Sequence, residues 1–274
     1  MKQFAIHVLI IGVLNFNAYA TGYSPVVVFA GSASQPPLEE AAKAFEEKTK
    51  IPIVLHQGGS GAILSQIRLT GQGDLYIPGS PDYMDKALEF NLVAGTPTTI
   101  AYLVPALIVA KGNPLKIQRL ADLKRKDLRI GIADPDGVCV GLYAIEILKA
   151  NDLLDKVRPN LKGMVESCAK AAAMIPLNQV DVVIGWREFA AWRPDTMDAI
   201  ILKKAEIPRL AYIPGALLIG AKNPEGAKAF LAYLTSREGQ SIFQKWGYLT
   251  NESDARKFAP EALIGRTFSP PEVW

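Results

Sequence analysis

Apolar and polar positions follow two rhythms along this chain, and the switch between them repeats. Val26-Val27-Val28-Phe29 is an apolar, β-branched run that gives way to the small residues Ala30-Gly31-Ser32-Ala33-Ser34. Leu38, Ala41, Ala42 and Phe45 then recur at helical spacing, so the stretch reads as strand, tight loop, helix. Pro36 and Pro37 fit a first helical turn, where amide hydrogens have no partner inside the helix. Glu39 and Glu40 near that end suit the helix dipole. The unit then recurs. A strand over 51–55 leads into the glycine-rich loop Gln57-Gly58-Gly59-Ser60-Gly61, and Ile63, Leu64 and Ile67 give one helix face that Gly71 stops. A short strand over 74–77 ends at Pro78-Gly79, and Ser80-Pro81 opens a helix through Leu88. The apolar run 102–110 carries Pro105, which predicts an edge or a crossing segment rather than a central strand.

A second set of the same units follows. A strand is predicted over 129–133, a loop over 134–140 and a helix from Gly141 to Asn151. A short strand near 164–165 precedes a helix that starts around Cys168 and ends before Pro176. The strand 180–184 delivers Gly185-Trp186 at its carboxyl end, and 199–202 is one more. The run 212–221 mirrors the earlier crossing, again with a proline, Pro214. Terminal helices are predicted over 224–235 and 237–246, with an irregular tail after Phe268. Strands alternating with helices predict mostly parallel sheets flanked by helices. Two crossing runs that bracket an internal block predict one lobe inserted into another, with 23–103 plus 212–274 as lobe 1 and 104–211 as lobe 2. Ligands sit outside the carboxyl ends of strands in such sheets, and two lobes can turn those ends towards one cleft.

Composition narrows the picture. A chain of 274 residues that is 49% hydrophobic can bury the cores of a large domain or of two lobes. Its first twenty residues read as a cleaved signal: Lys2, an apolar run over 5–13 and the small-x-small site Ala18-Tyr19-Ala20. The run is too short for a membrane anchor and is followed by Asn15 and Asn17. No cysteine follows the cleavage site to carry a lipid, so a free periplasmic or secreted protein is expected. A net charge of +3 is too small to argue for nucleic acid. The basic residues between Lys111 and Arg129 are interrupted by Asp122 and Asp127 and read as a solvated face.

Candidate chemistry is sparse. Gly58-Gly59-Ser60-Gly61-Ala62 nearly matches a nucleophile elbow, but Ala62 replaces the last glycine. His56, the one histidine beyond the signal, lies too close to Ser60 in sequence for that chemistry. One histidine and two scattered cysteines argue against a zinc site. No dinucleotide fingerprint or phosphate-binding Lys-Ser/Thr loop occurs, and no cofactor is expected. What remains is a set of neutral donors at loop–helix junctions: Ser32, Ser60, the backbone around Val140 and Ala169, and the indole of Trp186. Oriented neutral dipoles suit a fully ionised tetrahedral oxyanion. The competing reading is that the serines cap and turn the chain, and each proline after Ser34 removes a donor.

These residues carry a resemblance. The chain resembles the periplasmic molybdate-binding proteins of ABC importers, with the tungstate binders close behind. VFAGSASQPPLEEAAKAFEEKTKI is similar to that family's opening strand and helix, and GGSGAILSQIRLTGQGDLYIPGSPDYMDKA to its second serine loop. IADPDGVCVGLYAIEIL resembles its DP-x-x-V-P-A-G-x-Y-A segment, and IPGALLIGAKNPEGAKAFLAYLTSREGQSIFQKWGY its carboxyl-terminal signature. The resemblance implies a type II periplasmic-binding-protein fold that captures molybdate or tungstate between its lobes and delivers it to an ABC permease, as a monomer and not as an enzyme. Sulfate or another oxyanion is the alternative, and a periplasmic enzyme a distant one.

Carried over by residue, the anion-binding serines fall on Ser60 and near Ser32. An ungapped alignment puts Ala33 at the first position, flanked by Ser32 and Ser34. The two backbone donors fall on Val140 and Ala169. The family's P-A-G is Cys139-Val140-Gly141 here, and its ligand-touching tyrosine is Trp186, whose indole can only donate. The competing reading of Trp186 is a core residue that closes the strand end. Because Cys139 and Cys168 each precede an implied donor, convergence of those amides on one anion would place the two cysteines side by side. A disulfide is then expected in an oxidising compartment, against two free buried thiols as the alternative.

Overall fold

The structure, a computed structural model, describes residues 24–265 and residue 268. The expected signal segment over 1–20 and the tail beyond Phe268 lie outside these residues. The chain opens with β1 (Val26–Gly31), α1 (Gln35–Thr49), β2 (Ile53–Gly58), α2 (Ser60–Thr70), β3 (Leu75–Ile77), α3 (Pro81–Glu89) and the long β4 (Val93–Leu103). It goes on through β5 (Pro105–Ala110), β6 (Ile130–Ala133), α4 (Cys139–Ala150), α5 (Leu154–Val157), β7 (Leu161–Val165), α6 (Cys168–Ala173), β8 (Val182–Trp186), α7 (Glu188–Trp192) and β9 (Met197–Ile201). It returns through β10 (Arg209–Leu218), α8 (Pro224–Thr235), α9 (Arg237–Lys245), α10 (Glu252–Arg256) and β11 (Leu263–Ile264).

Two mixed sheets result. The first has the order β11-β10-β3-β1-β2, with β4 paired to β10, and the second the order β7-β6-β8-β5-β9. In the first, β2, β1 and β3 run parallel while β10 is antiparallel to β3 and β4. In the second, β7, β6 and β8 run parallel, and β5 is antiparallel to β8 and β9. The first sheet draws strands from both sides of the second, whose strands all lie between Pro105 and Ile201. Each sheet with its helices is called a lobe below.

Local chemistry accounts for the elements that carry the site. Every residue of β8 is buried, as a central strand covered on both faces requires. The helix α1 buries Pro37, Leu38, Ala41, Ala42 and Phe45, its apolar face at helical spacing. The helix α2 buries Ser60, Ile63, Leu64 and Ile67 and ends at Gly71, whose φ of 61° is left-handed. Hydrophobic residues of both sheets form one continuous buried cluster that includes Ala33, Cys139, Cys168 and Trp186.

Some expectations need correction. The segment with Pro105 does cross from one sheet to the other, with Val104 alone between β4 and β5, but β5 is not an edge. It lies between β8 and β9. Pro105 is its first residue, where a strand can lack a donor. The stretch 94–99 gave no strand signal because the outer part of β4 is largely exposed. The short α7, α10 and β11 were equally unmarked by periodicity. The helix expected from Gly141 starts at Cys139, which puts that cysteine in its first turn.

Candidate functional site

The serine turns meet the second lobe at the carboxyl ends of β1 and β2. Ser32 follows β1 in a single 3₁₀ turn, Ser32–Ser34, and all three of its residues are buried. The Ser32 Oγ accepts a hydrogen bond from the Ala169 amide of the second lobe, 3.2 Å away. The Ala33 carbonyl accepts the Tyr248 hydroxyl at 2.5 Å, which in turn accepts the Trp192 indole at 3.1 Å. Ser34 Oγ is buried without a hydrogen-bond partner among the described residues. Ser60 opens α2 with 1% of its surface exposed. Its Oγ accepts the Gly79 amide at 3.1 Å, and its carbonyl accepts the Tyr76 hydroxyl at 3.2 Å.

Backbone meets backbone around these serines. The Gly61 amide donates to the Gly137 carbonyl at 2.9 Å, and the Tyr83 hydroxyl to the Asp136 carbonyl at 3.2 Å, both from the first lobe to the second. A Cβ on Gly59 would collide with the Glu166 carbonyl oxygen across the cleft, and one on Gly79 would lie 2.6 Å from the Cys139 Sγ. The lobes are shut on one another.

From the second lobe, α4 and α6 present Cys139, Val140, Cys168 and Ala169. The two thiols are free and buried, with their sulfurs 3.5 Å apart. The pair expected as a disulfide is therefore adjacent but unbonded, since an S–S bond needs about 2.05 Å. Burial, with the Cys168 thiol beside it, pushes the Cys139 thiol above its ordinary range, against the hydrogen bond from the Val140 amide, which lowers it.

Trp186 ends β8 fully buried, and its indole N–H has no hydrogen-bond partner among the described residues. Its ring meets Tyr143 edge-on at 5.0 Å. The structure thus joins Ser32, Ala169, Ser60, Gly79 and both cysteines through direct contacts. It places Trp186 and Val140 in the same buried cluster without a hydrogen bond from the indole to either serine.

Sequence reasoning missed the charges that join the lobes near this site. Arg209, 1% exposed at the start of β10, meets Asp82 of α3 at 2.8 Å and Glu146 of α4 at 2.8 Å. Its guanidinium lies 4.0 Å from the centre of the Tyr143 ring, and the Phe268 amide donates to Asp82 Oδ1 at 3.3 Å. Burial raises the pKa of Glu146 although Arg209 works to lower it. The one signal for this cluster was an arginine within the apolar sequence IPRLAYIPGALL. Beyond Trp186, Glu188 is also buried, paired with Arg187 at 2.9 Å, and accepts the Val104 amide at 3.5 Å. Burial pushes its carboxyl up to about 6. A groove of about 240 Å³ opens beside Ala169, lined in part by Gln35, Glu39, Trp192, Arg193 and Trp246.

Residues 26–249 match the family described as bacterial extracellular solute-binding protein. The molybdate-binding protein ModA of Rhodobacter capsulatus is 25% identical over 229 residues, 78% of this chain and 84% of that protein. Among solved structures, the periplasmic molybdate-binding protein of Azotobacter vinelandii superposes with a TM-score of 0.73 at 17% identity, covering 83% of this chain and 100% of that one. The sulfate-binding protein SubI from Mycobacterium tuberculosis gives 0.70 at 15% identity, covering 88% and 93%. At such identities the two structures speak for a shared fold.

Proposed function

This chain belongs to the family of bacterial extracellular solute-binding proteins, and on that premise we propose that it captures a tetrahedral oxyanion, molybdate or tungstate, between its lobes. Segments 23–103 with 212–274 and 104–211 act as the two bodies that close on it, in the periplasm, after removal of residues 1–20. The loaded monomer delivers its cargo unchanged to an ABC permease. The observation that carries the reading is the meeting of neutral donors from both lobes in a buried cleft. The Ser32–Ala169 and Ser60–Gly79 hydrogen bonds lie there, and in the same buried cluster the Trp186 indole N–H has no partner among the described residues.

Neutral donors fit such a ligand physically. An ionised oxyanion presents acceptors on all sides and needs several donors but no counter-charge. The serine hydroxyls and the Ala169 and Val140 amides supply them, and ligand contacts from both lobes favour the closed state. A binder rather than an enzyme is supported by the family and by His56, whose ring stacks on Phe29 at 4.9 Å. The likeness to ModA supports molybdate. Sulfate is the second reading, favoured by the likeness in fold to SubI.

Calorimetry of refolded, ligand-free protein with molybdate, tungstate, sulfate and phosphate tests the proposal. Molybdate or tungstate should bind at least tenfold more tightly than sulfate, and Trp186→Phe should weaken binding severalfold. No heat with any of the four anions would end the oxyanion reading. An unchanged affinity in Trp186→Phe would make the indole a packing residue.

A further inference from the structure

The thiol pair does no work in anion capture as described, yet it sits where the lobes meet. Cys139 and Cys168 are 0% and 2% exposed, 3.5 Å apart, and both belong to the second lobe. What covers them is the first lobe. The Cys139 sulfur faces Gly79, and residue 169, next to Cys168, is hydrogen-bonded to Ser32. Gly137, two residues before Cys139, accepts the Gly61 amide, and Glu166, two residues before Cys168, lies against Gly59. Every one of these cover contacts crosses the cleft. Opening the lobes removes them all, while the two sulfurs stay on the same lobe and remain neighbours.

We propose that Cys139 and Cys168 form a redox-active dithiol that is oxidised to a disulfide when the cleft is open and is protected when it is closed. Coupling to the anion rests on the function proposed above; coupling to closure does not. The reaction is a thiol–disulfide exchange with a disulfide oxidant, R–S–S–R. One cysteine, as thiolate, attacks R–S–S–R and releases R–S⁻, which takes up the proton given up by that cysteine. The second cysteine attacks the resulting mixed disulfide, forming the Cys139–Cys168 bond and releasing a second R–SH. In the closed state both sulfurs are buried, which denies the oxidant access, and burial raises the Cys139 thiol, which disfavours its thiolate.

The experiment starts from reduced protein exposed to oxidised glutathione, with samples quenched by alkylation and read by mass. Disulfide formation should be at least tenfold slower in saturating molybdate than without it. Gly59→Val places a side chain against the Glu166 carbonyl and wedges the cleft, and its backbone φ of −65° accepts any residue. That variant should oxidise at least tenfold faster than the unmodified chain with no anion present, and Gly59→Ala, the milder wedge, should fall between. Circular dichroism verifies that both are folded. If the wedged variants oxidise no faster than the unmodified chain, or if no disulfide forms in any of them, the proposal is overturned. Fast oxidation in the wedged variants with no effect of molybdate upholds the dithiol and refutes the anion reading.

Discussion

Two of the places where the lobes meet do so with opposite chemistry. Around Ser32 and Ser60 the contacts across the cleft are neutral: a hydroxyl with an amide, and amide or hydroxyl with carbonyl, at 2.9–3.2 Å. Around Arg209 they are full charges, with Asp82 on one lobe and Glu146 on the other. Neutral hydrogen bonds contribute about 0.5–1.5 kcal/mol each, so a ligand that offers as many acceptors can replace them at little cost. A buried charge cannot be released that way, because its desolvation is offset only while its partner stays in place. The neutral contacts are exchangeable and the charged ones permanent.

The comparison breaks most readily at Arg209. Arg209→Met leaves Asp82 and Glu146 buried together without their cation, and unfolding free energy in urea should fall by about 3–5 kcal/mol. A loss below about 1 kcal/mol would mean the charged cluster is as dispensable as the neutral contacts. Ser60→Ala should do the reverse. Loss of the acceptor for the Gly79 amide should lower stability by only about 1–2 kcal/mol, while anion affinity falls by about 1.5–3 kcal/mol, roughly 10- to 150-fold, the scale of a hydrogen bond to a charged group. Equal affinities by calorimetry would remove Ser60 from the site.

Glu188 sharpens the contrast from a third position. Its folded pKa of about 6 lies above the ordinary value of 4.5, so across that window the folded state holds a proton that the unfolded state has lost. Stability should therefore fall as pH rises from 4.5 through 6, by about 2 kcal/mol for this group. Glu188→Gln should flatten that part of the profile in urea titrations at stepped pH. A slope unchanged by the substitution would place the titrating group elsewhere, with Glu146, raised in the same direction, the next to test.

The parts of the fold legible in the sequence were those in which one residue run has one environment. β1, α1, α2 and β8 bury a whole run or a whole face, and their apolar spacing shows it. β4 was not legible, because its exposed outer half carries no alternation and its partner β10 lies more than a hundred residues away. The site divides along the same line. Ser60 and Ser32 were visible as small residues at strand–helix junctions. Gly79 was read only as a strand end, because its role depends on an amide aimed at Ser60 and on the nearness of Cys139. Asp82 lies in the first turn of α3, and only the fold brings Arg209 to it.

The order of strands also sets the order in which the molecule can be finished. All five strands of the second sheet lie within 105–201, so they can pair as soon as that stretch is available. The first sheet has to wait. β3 pairs on one side with β10, Tyr76 against Ala216, and closing so long a loop is slow. Asp82 receives its countercharge only when residue 209 arrives. A chain made from its amino end therefore leaves its first-made lobe incomplete until almost the last, with α1 and α2 lacking the strand that completes their sheet.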